Sequence, residues 1–201
     1  MKKNYLISHK RKKAFALIPK TGITTILTII ISEDFTEVFE KFPKEYIETV
    51  KLWNFLKKNI PTNDYLSEII PKNYKTYAFV RNPYDRIYAS FFHYNLYKKK
   101  KKRLHPYYNY KDFLKYKLKE LIVKDWHFMP QKYFIQKLSG NYKIFKFEEF
   151  EDSIKKIFKG TDIPHANKKN KNKFDYDEES IKIINKYYSW DFKHLGYKKI
   201  T

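Results

Sequence analysis

Two short apolar runs, each followed by a turn and a helical pattern, most constrain what this chain can fold into. Ala14 to Ile18 is typical of a strand buried on both faces, and Ile23 to Ile31 predicts the helix after it. Tyr74 to Val80 predicts a second buried strand, with a helical pattern that extends to about Tyr97. This alternation predicts an α/β fold with a central, mostly parallel sheet flanked by helices. Such sheets bind ligands at the loops that leave the carboxyl ends of their strands.

The rest of the pattern fits one domain, as a chain of 201 residues allows. We expect residues 1–13 to form a basic N-terminal segment and the core to span about 14–197. A third strand is predicted at Tyr142–Phe147. Further helices are predicted at Asp34–Ile60 with a break at Pro43, at Tyr110–Val123, in QKYFIQKL, at Glu148–Phe158 and at Asp177–Tyr188.

The charge balance of the chain is strongly basic. Lysine and arginine number 43 against 22 acidic residues, which gives a formal charge of +21 at pH 7. The resulting field attracts polyanions such as nucleic acid, acidic glycans, anionic membranes or phosphorylated ligands, and it does not choose among them. A codon bias toward Lys, Asn, Ile, Phe and Tyr accounts equally well for most of the lysines.

The absence of cysteine excludes disulfides, thiolate zinc sites and cysteine nucleophiles. The basic start MKKNYLISHKRKK is not followed by a signal-type apolar region, and the apolar stretch Ile26 to Ile31 is too short to span a bilayer. We therefore expect a cytoplasmic protein, and the sequence does not indicate its oligomeric state.

The first turn, PKTGITT, places Lys20 between the strand and the helix. The first turn of a helix presents unpaired N–H groups and the positive end of the helix dipole, so an anion can bind there. Lys20 adds a full charge, and Thr21, Thr24 and Thr25 add hydroxyl groups. The order of residues does not fit the nucleotide triphosphatase loop, because Lys20 precedes Gly22 and the earlier glycine is missing. An ordinary strand-to-helix turn is the alternative interpretation.

The second turn repeats the design in YAFVRNPYDRIYASFFHY. Arg81 ends the buried strand, a rigid Asn-Pro turn follows, and Ser90 lies on the next helix. An arginine in this position suits a bidentate phosphate contact. Two anion-binding turns on neighbouring strands could hold a ligand that carries phosphates at both ends of a nucleoside.

This pairing resembles the sulfotransferases, in particular the carbohydrate sulfotransferase group called family 2. Four later stretches continue the resemblance in order, so that it extends from Ala14 to Tyr197: DWHFMPQKYFI, YKIFKFEEFED, HANKKNKNKF and YYSWDFKHLGY. The family's Pro-Lys-Thr-Gly-x-Thr-Ser motif binds the 5′-phosphosulfate of the donor PAPS (3′-phosphoadenosine 5′-phosphosulfate), and its Arg-Asn/Asp-Pro motif binds the 3′-phosphate. The resemblance implies a P-loop NTPase-like three-layer fold, forming a single sulfotransferase domain, and a carbohydrate acceptor, including acidic glycans.

The resemblance also implies the donor-binding residues: Lys20, Thr21, Gly22, Ile23, Thr24, Thr25, Arg81 and Ser90. Two positions depart from the family pattern. Ile23 stands where relatives often have a second glycine. The phosphate-binding serine usually lies eight positions after the arginine, where this chain has Ala89, and Ser90 comes one residue later. An insertion of one residue would form a π-bulge in the helix, which could re-aim Ser90 at the ligand.

Sulfuryl transfer needs an in-line nucleophile and stabilisation of the charge that accumulates on the leaving oxygen. Lys20 is the candidate for that electrostatic role. His127, within a matched stretch, is the candidate general base for the acceptor hydroxyl, although a histidine that only orders its loop is equally compatible. Glu33 and Asp34 are the carboxylate alternatives. The six histidines show no metal-ligand spacing, and the reaction requires no metal.

Two other classes of function compete with this interpretation. A non-catalytic nucleic-acid-binding protein is favoured by the charge and by a basic loop predicted at Lys98 to Arg103, but it leaves the paired turns unexplained. A kinase-like nucleotide enzyme is disfavoured by the missing glycine and by the lack of an evident magnesium carboxylate. The resemblance further implies that Asn167 and the lysines around it close over the donor.

Overall fold

One five-stranded sheet organises the computed structural model, which describes residues 4–42, 49–100, 109–161 and 176–201. The strands are β1 (Tyr5–Ser8), β2 (Lys13–Ala16), β3 (Leu66–Ser67), β4 (Lys75–Val80) and β5 (Tyr142–Lys146), in the spatial order β3-β1-β2-β4-β5. β2 and β4 pair in parallel, with Phe15 opposite Tyr77. The two strands that precede the lysine and arginine turns are therefore neighbours, and their carboxyl ends lie at the same edge of the sheet.

The first strand lies inside the segment that the sequence analysis treats as a basic N-terminal extension. β1 pairs antiparallel with β2 and with β3, so the sheet is mixed rather than mostly parallel. Tyr5, Leu6 and Ile7 are at most 4% exposed. The predicted core boundary near Ala14 is therefore wrong, because the core begins at Tyr5. Three apolar residues flanked by cationic and polar ones give too short a pattern to be recognised without their strand partners.

The described residues between β2 and β3 include the α-helices α1 (Ile23–Asp34), α2 (Thr36–Glu40) and α3 (Thr49–Asn59). Every residue of α1 from Thr25 to Ile31 is buried. A helix that is enclosed by its surroundings has mostly apolar residues on every side, and Thr25 and Thr28 are the polar residues of this segment. α1 packs against β1, which confirms a helix on the sheet at this position.

The helix after the arginine turn, α4 (Pro83–Lys100), begins with proline, a residue suited to the first helical position. It is α-helical throughout, so the predicted π-bulge at Ala89 and Ser90 is wrong. The helix also continues through Lys98 to Lys100, where the sequence predicts a loop. A π-helical segment instead occupies Phe113–Lys117, between α5 (Tyr110–Asp112) and α6 (Leu118–Lys124).

The other α-helices of the described ranges are α7 (Lys132–Ile135), α8 (Phe150–Ile157), α9 (Glu178–Tyr187) and α10 (Ser189–His194). The first three confirm predicted helical segments. Asp177 caps α9 by accepting a hydrogen bond from the Ser180 N–H at 2.9 Å. α10 is not among the helices predicted from the sequence.

The described residues fold into two compact units, each assembled from three stretches of chain. The first unit contains the described residues that lie within Met1–Leu17, Gly22–Phe79 and Lys137–Asn170, and the second those that lie within Ile18–Thr21, Val80–Gln136 and Lys171–Thr201. A single domain stays a prediction. The fold is α/β, with a five-stranded mixed sheet flanked by helices.

Each unit has its own aromatic core. In the first, Phe15 of β2 stacks between Tyr77 and Phe158, with ring centroids 5.4 and 5.3 Å away. The core of the second consists of buried residues from α4, the π-helical region and the C-terminal helices, among them Phe91, Tyr110, Phe113, Phe128, Tyr188 and Phe192. Stacked and tilted aromatic pairs at these distances add to the free energy of burial, so the aromatic richness of the chain serves its packing.

Candidate anion-binding and proton-transfer site

Lys20 has a main-chain conformation that side-chain-bearing residues seldom adopt. Its φ angle is 68°, in the left-handed region, which costs about 1–2 kcal/mol for a residue other than glycine. The neighbouring Thr21 is buried, and its hydroxyl donates a hydrogen bond of 2.7 Å to the carbonyl of Ile18. This bond closes the turn and uses the one proton of the hydroxyl. The expectation that the Thr21 hydroxyl donates to a ligand is therefore not met in this conformation.

Gly22 is the residue that starts α1, and it too has a positive φ, of 86°. A Cβ atom added to it would lie 2.3 Å from Cε2 of Phe150, which is far inside van der Waals contact. Both the conformation and the space at this position therefore require glycine. Ile23, Thr24 and the buried Thr25 come next and form the first turn of α1, in which main-chain N–H groups have no partner within the helix.

The second unit brings the two predicted cationic residues together. The Nη1 atom of Arg81 donates a hydrogen bond to the main-chain carbonyl of Lys20 at 3.3 Å. The main chain of Arg81 is itself fixed by Gln131. The Arg81 N–H donates to Gln131 Oε1 at 2.8 Å, and Gln131 Nε2 donates to the Arg81 carbonyl at 2.9 Å.

Gln131 is in turn held by a buried carboxylate that the sequence analysis does not identify. Asp191 Oδ2 accepts the Gln131 N–H at 2.8 Å, and its Oδ1 accepts the Lys132 N–H at 3.0 Å. Burial raises the pKa of the Asp191 carboxyl above its usual range, against the opposing effects of Arg86 and these N–H groups. Hydrogen bonds between Gln131 and Asp191 thus join the stretches DWHFMPQKYFI and YYSWDFKHLGY.

Ser90 and Arg86 on α4 act on the main chain of the His127 loop. The Ser90 hydroxyl donates to the His127 carbonyl at 2.9 Å, and Arg86 Nη1 donates to the same oxygen at 3.2 Å. Arg86 Nη2 also donates to the Met129 carbonyl at 2.6 Å. Both α4 side chains are fully buried. Ser90 is therefore engaged with the protein here, rather than aimed at an external phosphate.

His127 forms a close pair with Asp125, two residues earlier. The Asp125 Oδ1 atom accepts the His127 main-chain N–H at 3.0 Å and lies 2.8 Å from His127 Nδ1. Burial raises the pKa of the Asp125 carboxyl, but the hydrogen bonds from His127 outweigh that effect, and the pKa lies below its usual value. At neutral pH Asp125 is therefore a carboxylate, which can only accept hydrogen bonds.

His93, on α4, lies beside this pair. Its ring centroid is 4.7 Å from that of His127, at an interplanar angle of 35°. Burial lowers the pKa of His93 to about 4, and the positive charge of Lys20 acts in the same direction. His93 is therefore uncharged at neutral pH. The carboxylate of Asp125 acts on the pKa of His93 in the opposite direction.

The carboxylate alternatives for the general base lie in the first unit and are engaged there. Glu33 accepts a bidentate pair of hydrogen bonds from Arg11, at 2.9 and 2.7 Å, and also accepts the Thr161 hydroxyl. Asp34 accepts the His9 N–H at 2.6 Å and the Ser8 hydroxyl at 3.0 Å. These contacts fasten the turn between β1 and β2 to the end of α1, which favours a structural role for both carboxylates.

The structure also bears on metal binding, on membrane insertion and on two predicted loops. Within the described ranges, no group of three or more His, Asp or Glu side chains is arranged to hold a metal ion. The helices that the structure describes include none with the length and apolar character needed to cross a membrane. The end of the predicted basic loop, residues 101–103, and the closing loop around Asn167 lie outside the described residues.

Comparison with known proteins gives one match. The family model described as "Sulfotransferase family" matches residues 3–198 of this chain. The matched range includes both cationic turns, the pair of Asp125 and His127, and Asp191. No curated protein and no solved structure was found to match the chain.

Proposed function

The chain belongs to the sulfotransferase family, and from that premise we propose that it transfers a sulfuryl group from PAPS to a hydroxyl of a carbohydrate. The observation that carries the proposal is the hydrogen bond from Arg81 to the Lys20 carbonyl, at 3.3 Å. The bond joins the Arg81 side chain to the main chain of Lys20, in turns that follow neighbouring parallel strands, and this supports the proposal that both residues act on one ligand. A ligand with anionic groups at both ends of a nucleoside matches that arrangement.

The turn residues fit the 5′-phosphosulfate end of such a donor. We assign this end to Lys20, Thr21, Gly22, Ile23, Thr24 and Thr25. Gly22 allows the main chain to turn tightly into α1, whose first N–H groups suit an anion. Because the Thr21 hydroxyl is used within the turn, we propose that Thr21 acts through its main chain.

The 3′-phosphate is assigned to Arg81, whose planar guanidinium can make two parallel hydrogen bonds to phosphate oxygens. The side chain of Gln131 is hydrogen-bonded to both the N–H and the carbonyl of Arg81, so the main chain from which the guanidinium extends is held in place. Ser90, which the resemblance also assigns to this phosphate, is bonded to the His127 carbonyl. For Ser90 we therefore propose a supporting role, in which it holds the loop of the general base.

The chain supplies two chemical functions to the reaction. PAPS, when bound, provides an activated sulfuryl group on a phosphate leaving group. The ammonium of Lys20 stabilises the negative charge that develops on the leaving oxygen. His127 accepts the proton of the attacking hydroxyl, because a neutral imidazole is a suitable base near neutral pH. Lys20 and His127 are thus the proposed catalytic residues.

The test is transfer of ³⁵S from labelled PAPS to a panel of neutral and acidic oligosaccharides, read by product mass as well as radioactivity. The proposal expects a product that gains one SO₃ group, with release of adenosine 3′,5′-bisphosphate. Thermal stabilisation by that bisphosphate but not by ATP is the matching binding result. Stabilisation by oligonucleotides alone, with steep salt dependence, would instead support the nucleic-acid-binding alternative that the charge of +21 favours.

A further inference from the structure

The imidazole of His127 is held on several sides by the second unit. Asp125 binds its Nδ1 and its main-chain N–H, while Ser90 and Arg86 bind its carbonyl. The ring lies 4.7 Å from that of His93 and 4.8 Å from that of Trp126, measured between centroids. Within the described part of the chain, Nε2 is the ring nitrogen to which these hydrogen bonds give no partner. A side chain held in this way has lost most of its rotational freedom before any substrate arrives.

We propose that Asp125 is a positioning residue, which keeps the proton of His127 on Nδ1 and leaves the lone pair of Nε2 for the acceptor hydroxyl. This inference rests on the proposed function, because it names the residue that prepares the general base for sulfuryl transfer. The 2.8 Å contact between Asp125 Oδ1 and His127 Nδ1 carries it. In the other tautomer the proton would lie on Nε2, and that nitrogen could not accept the proton of the acceptor hydroxyl.

His93 contributes by staying uncharged. It packs against His127, and its pKa of about 4, lowered by burial and by the charge of Lys20, keeps it neutral at the pH at which a general base of the imidazole type works. A cation at this position would oppose formation of the His127 imidazolium, since like charges at close range disfavour each other. The neutral ring therefore gives His127 a rigid neighbour without that electrostatic penalty.

The chemical step balances around this pair. The oxygen of the acceptor hydroxyl forms a bond to sulfur, and the bond from sulfur to the phosphate oxygen of the donor breaks. The hydroxyl proton moves to His127 Nε2, and the carboxylate of Asp125 stabilises the imidazolium without taking the proton. The bond electrons leave with the phosphate oxygen, beside Lys20. The proton later passes from His127 to solvent.

The direct test is the tautomer of His127, read from imidazole ¹⁵N chemical shifts of the full chain without substrate. His127→Gln identifies the signal, and the measurement needs no turnover. We expect the proton on Nδ1 in the wild type and loss of this preference in Asp125→Asn. A wild-type His127 with its proton on Nε2 would overturn the inference even if the enzyme transfers sulfate. If no hydroxyl is sulfated, the proposed function fails while the measured tautomer still decides the role of Asp125.

Kinetics give the second readout. Asp125→Asn is expected to lower kcat by about 10²-fold to 10⁴-fold while KM for PAPS stays close to that of the wild type. Asp125→Glu, which restores a carboxylate, is expected to recover part of the rate. Asp152→Asn, on the exposed side of α8, is the control for loss of one negative charge. Equal kcat values in Asp125→Asn and the wild type would overturn the inference, as would a change confined to KM.

Discussion

The guanidinium of Arg81 donates a hydrogen bond to the main-chain carbonyl of Lys20, although the two residues lie 61 positions apart in the chain. The bond ties the turn after β4 to the turn after β2. It also supports a lysine whose φ of 68° is unfavourable for any residue with a side chain. The two residues should therefore be tested separately for their side-chain charge and for their effect on the main chain.

Two variants distinguish the role of the Lys20 side chain in activity from the effect of its main-chain conformation on stability. Lys20→Ala is expected to lower kcat for sulfate transfer by about 10²-fold to 10³-fold, the scale for loss of one preorganised charge-stabilising group. Lys20→Gly should lose as much activity but unfold at a higher temperature. Its free energy of unfolding should rise by about 0.5–1 kcal/mol, because glycine adopts the positive φ without strain. Lys119→Ala, an exposed lysine of α6, is the control. Turnover near that of the wild type in Lys20→Ala would remove Lys20 from the mechanism.

Arg81 should determine how the protein distinguishes adenosine 3′,5′-bisphosphate from adenosine 5′-monophosphate. Arg81→Lys keeps the charge but loses the bidentate geometry, so we expect affinity for the bisphosphate to fall by about 10-fold to 100-fold. Affinity for the monophosphate should change little. Isothermal titration calorimetry measures both, with Lys119→Gln as the control for surface charge. Equal losses for the two nucleotides would contradict the assignment of Arg81 to the 3′-phosphate.

Gly22 should tolerate no side chain. Gly22→Ala is expected to lower the free energy of unfolding by about 2–4 kcal/mol, from the strain of its φ of 86° and from overpacking against Phe150. The double variant Gly22→Ala with Phe150→Ala removes the overpacking but not the backbone strain. Measured against Phe150→Ala alone, the glycine substitution should therefore be less destabilising than in the wild type. Equal effects in both backgrounds, by chemical denaturation, would show that Phe150 does not restrict this position.

Glu33 should affect stability rather than catalysis. Burial raises the pKa of its carboxyl, but the hydrogen bonds from Arg11 and Thr161 outweigh burial and bring the pKa below the ordinary value of 4.5. Because the pKa is lower in the folded state, the ionised carboxylate contributes its full amount to the free energy of unfolding above pH 4.5. This contribution is lost as the pH falls through the lowered pKa. Glu33→Gln should therefore unfold about 1–2 kcal/mol more easily at pH 7, with a smaller difference in acid.

The same variant separates Glu33 from His127 as the general base. Glu33→Gln should keep the wild-type kcat per folded molecule, whereas His127→Gln should lower it by about 10²-fold to 10⁴-fold. Glu68→Gln, an exposed glutamate, is the control for charge loss. A large fall in kcat for Glu33→Gln, measured at a temperature where the variant is fully folded, would return Glu33 to the candidates for the base.

The elements that the sequence predicts well are those whose local pattern is strong. β2, α1, β4 and α4 are recognisable because an apolar run meets a turn and then a helical period. β1 is different, because its three apolar residues can be recognised as a strand only from their pairing with β2 and β3. Strand pairing depends on residues that are distant in the chain, so the mixed character of the sheet could not be read from the N-terminal segment alone.

The candidate site divides in the same way. Lys20 and Arg81 could be located from the sequence because each follows a buried strand, and Asp125 stands two residues before His127 in a stretch already singled out. Gln131 and Asp191, 60 positions apart, meet only in the folded chain. The engagement of Ser90 with the His127 carbonyl likewise depends on how a loop packs on α4, which one sequence does not specify.

The most direct measurement is a crystal structure of the wild-type protein with adenosine 3′,5′-bisphosphate bound. We predict that its 5′-phosphate contacts the side chain of Lys20 and the first N–H groups of α1, and that its 3′-phosphate contacts the guanidinium of Arg81. A bisphosphate bound elsewhere, with Lys20 and Arg81 contacting neither phosphate, would contradict the proposed donor site and with it the assigned mechanism.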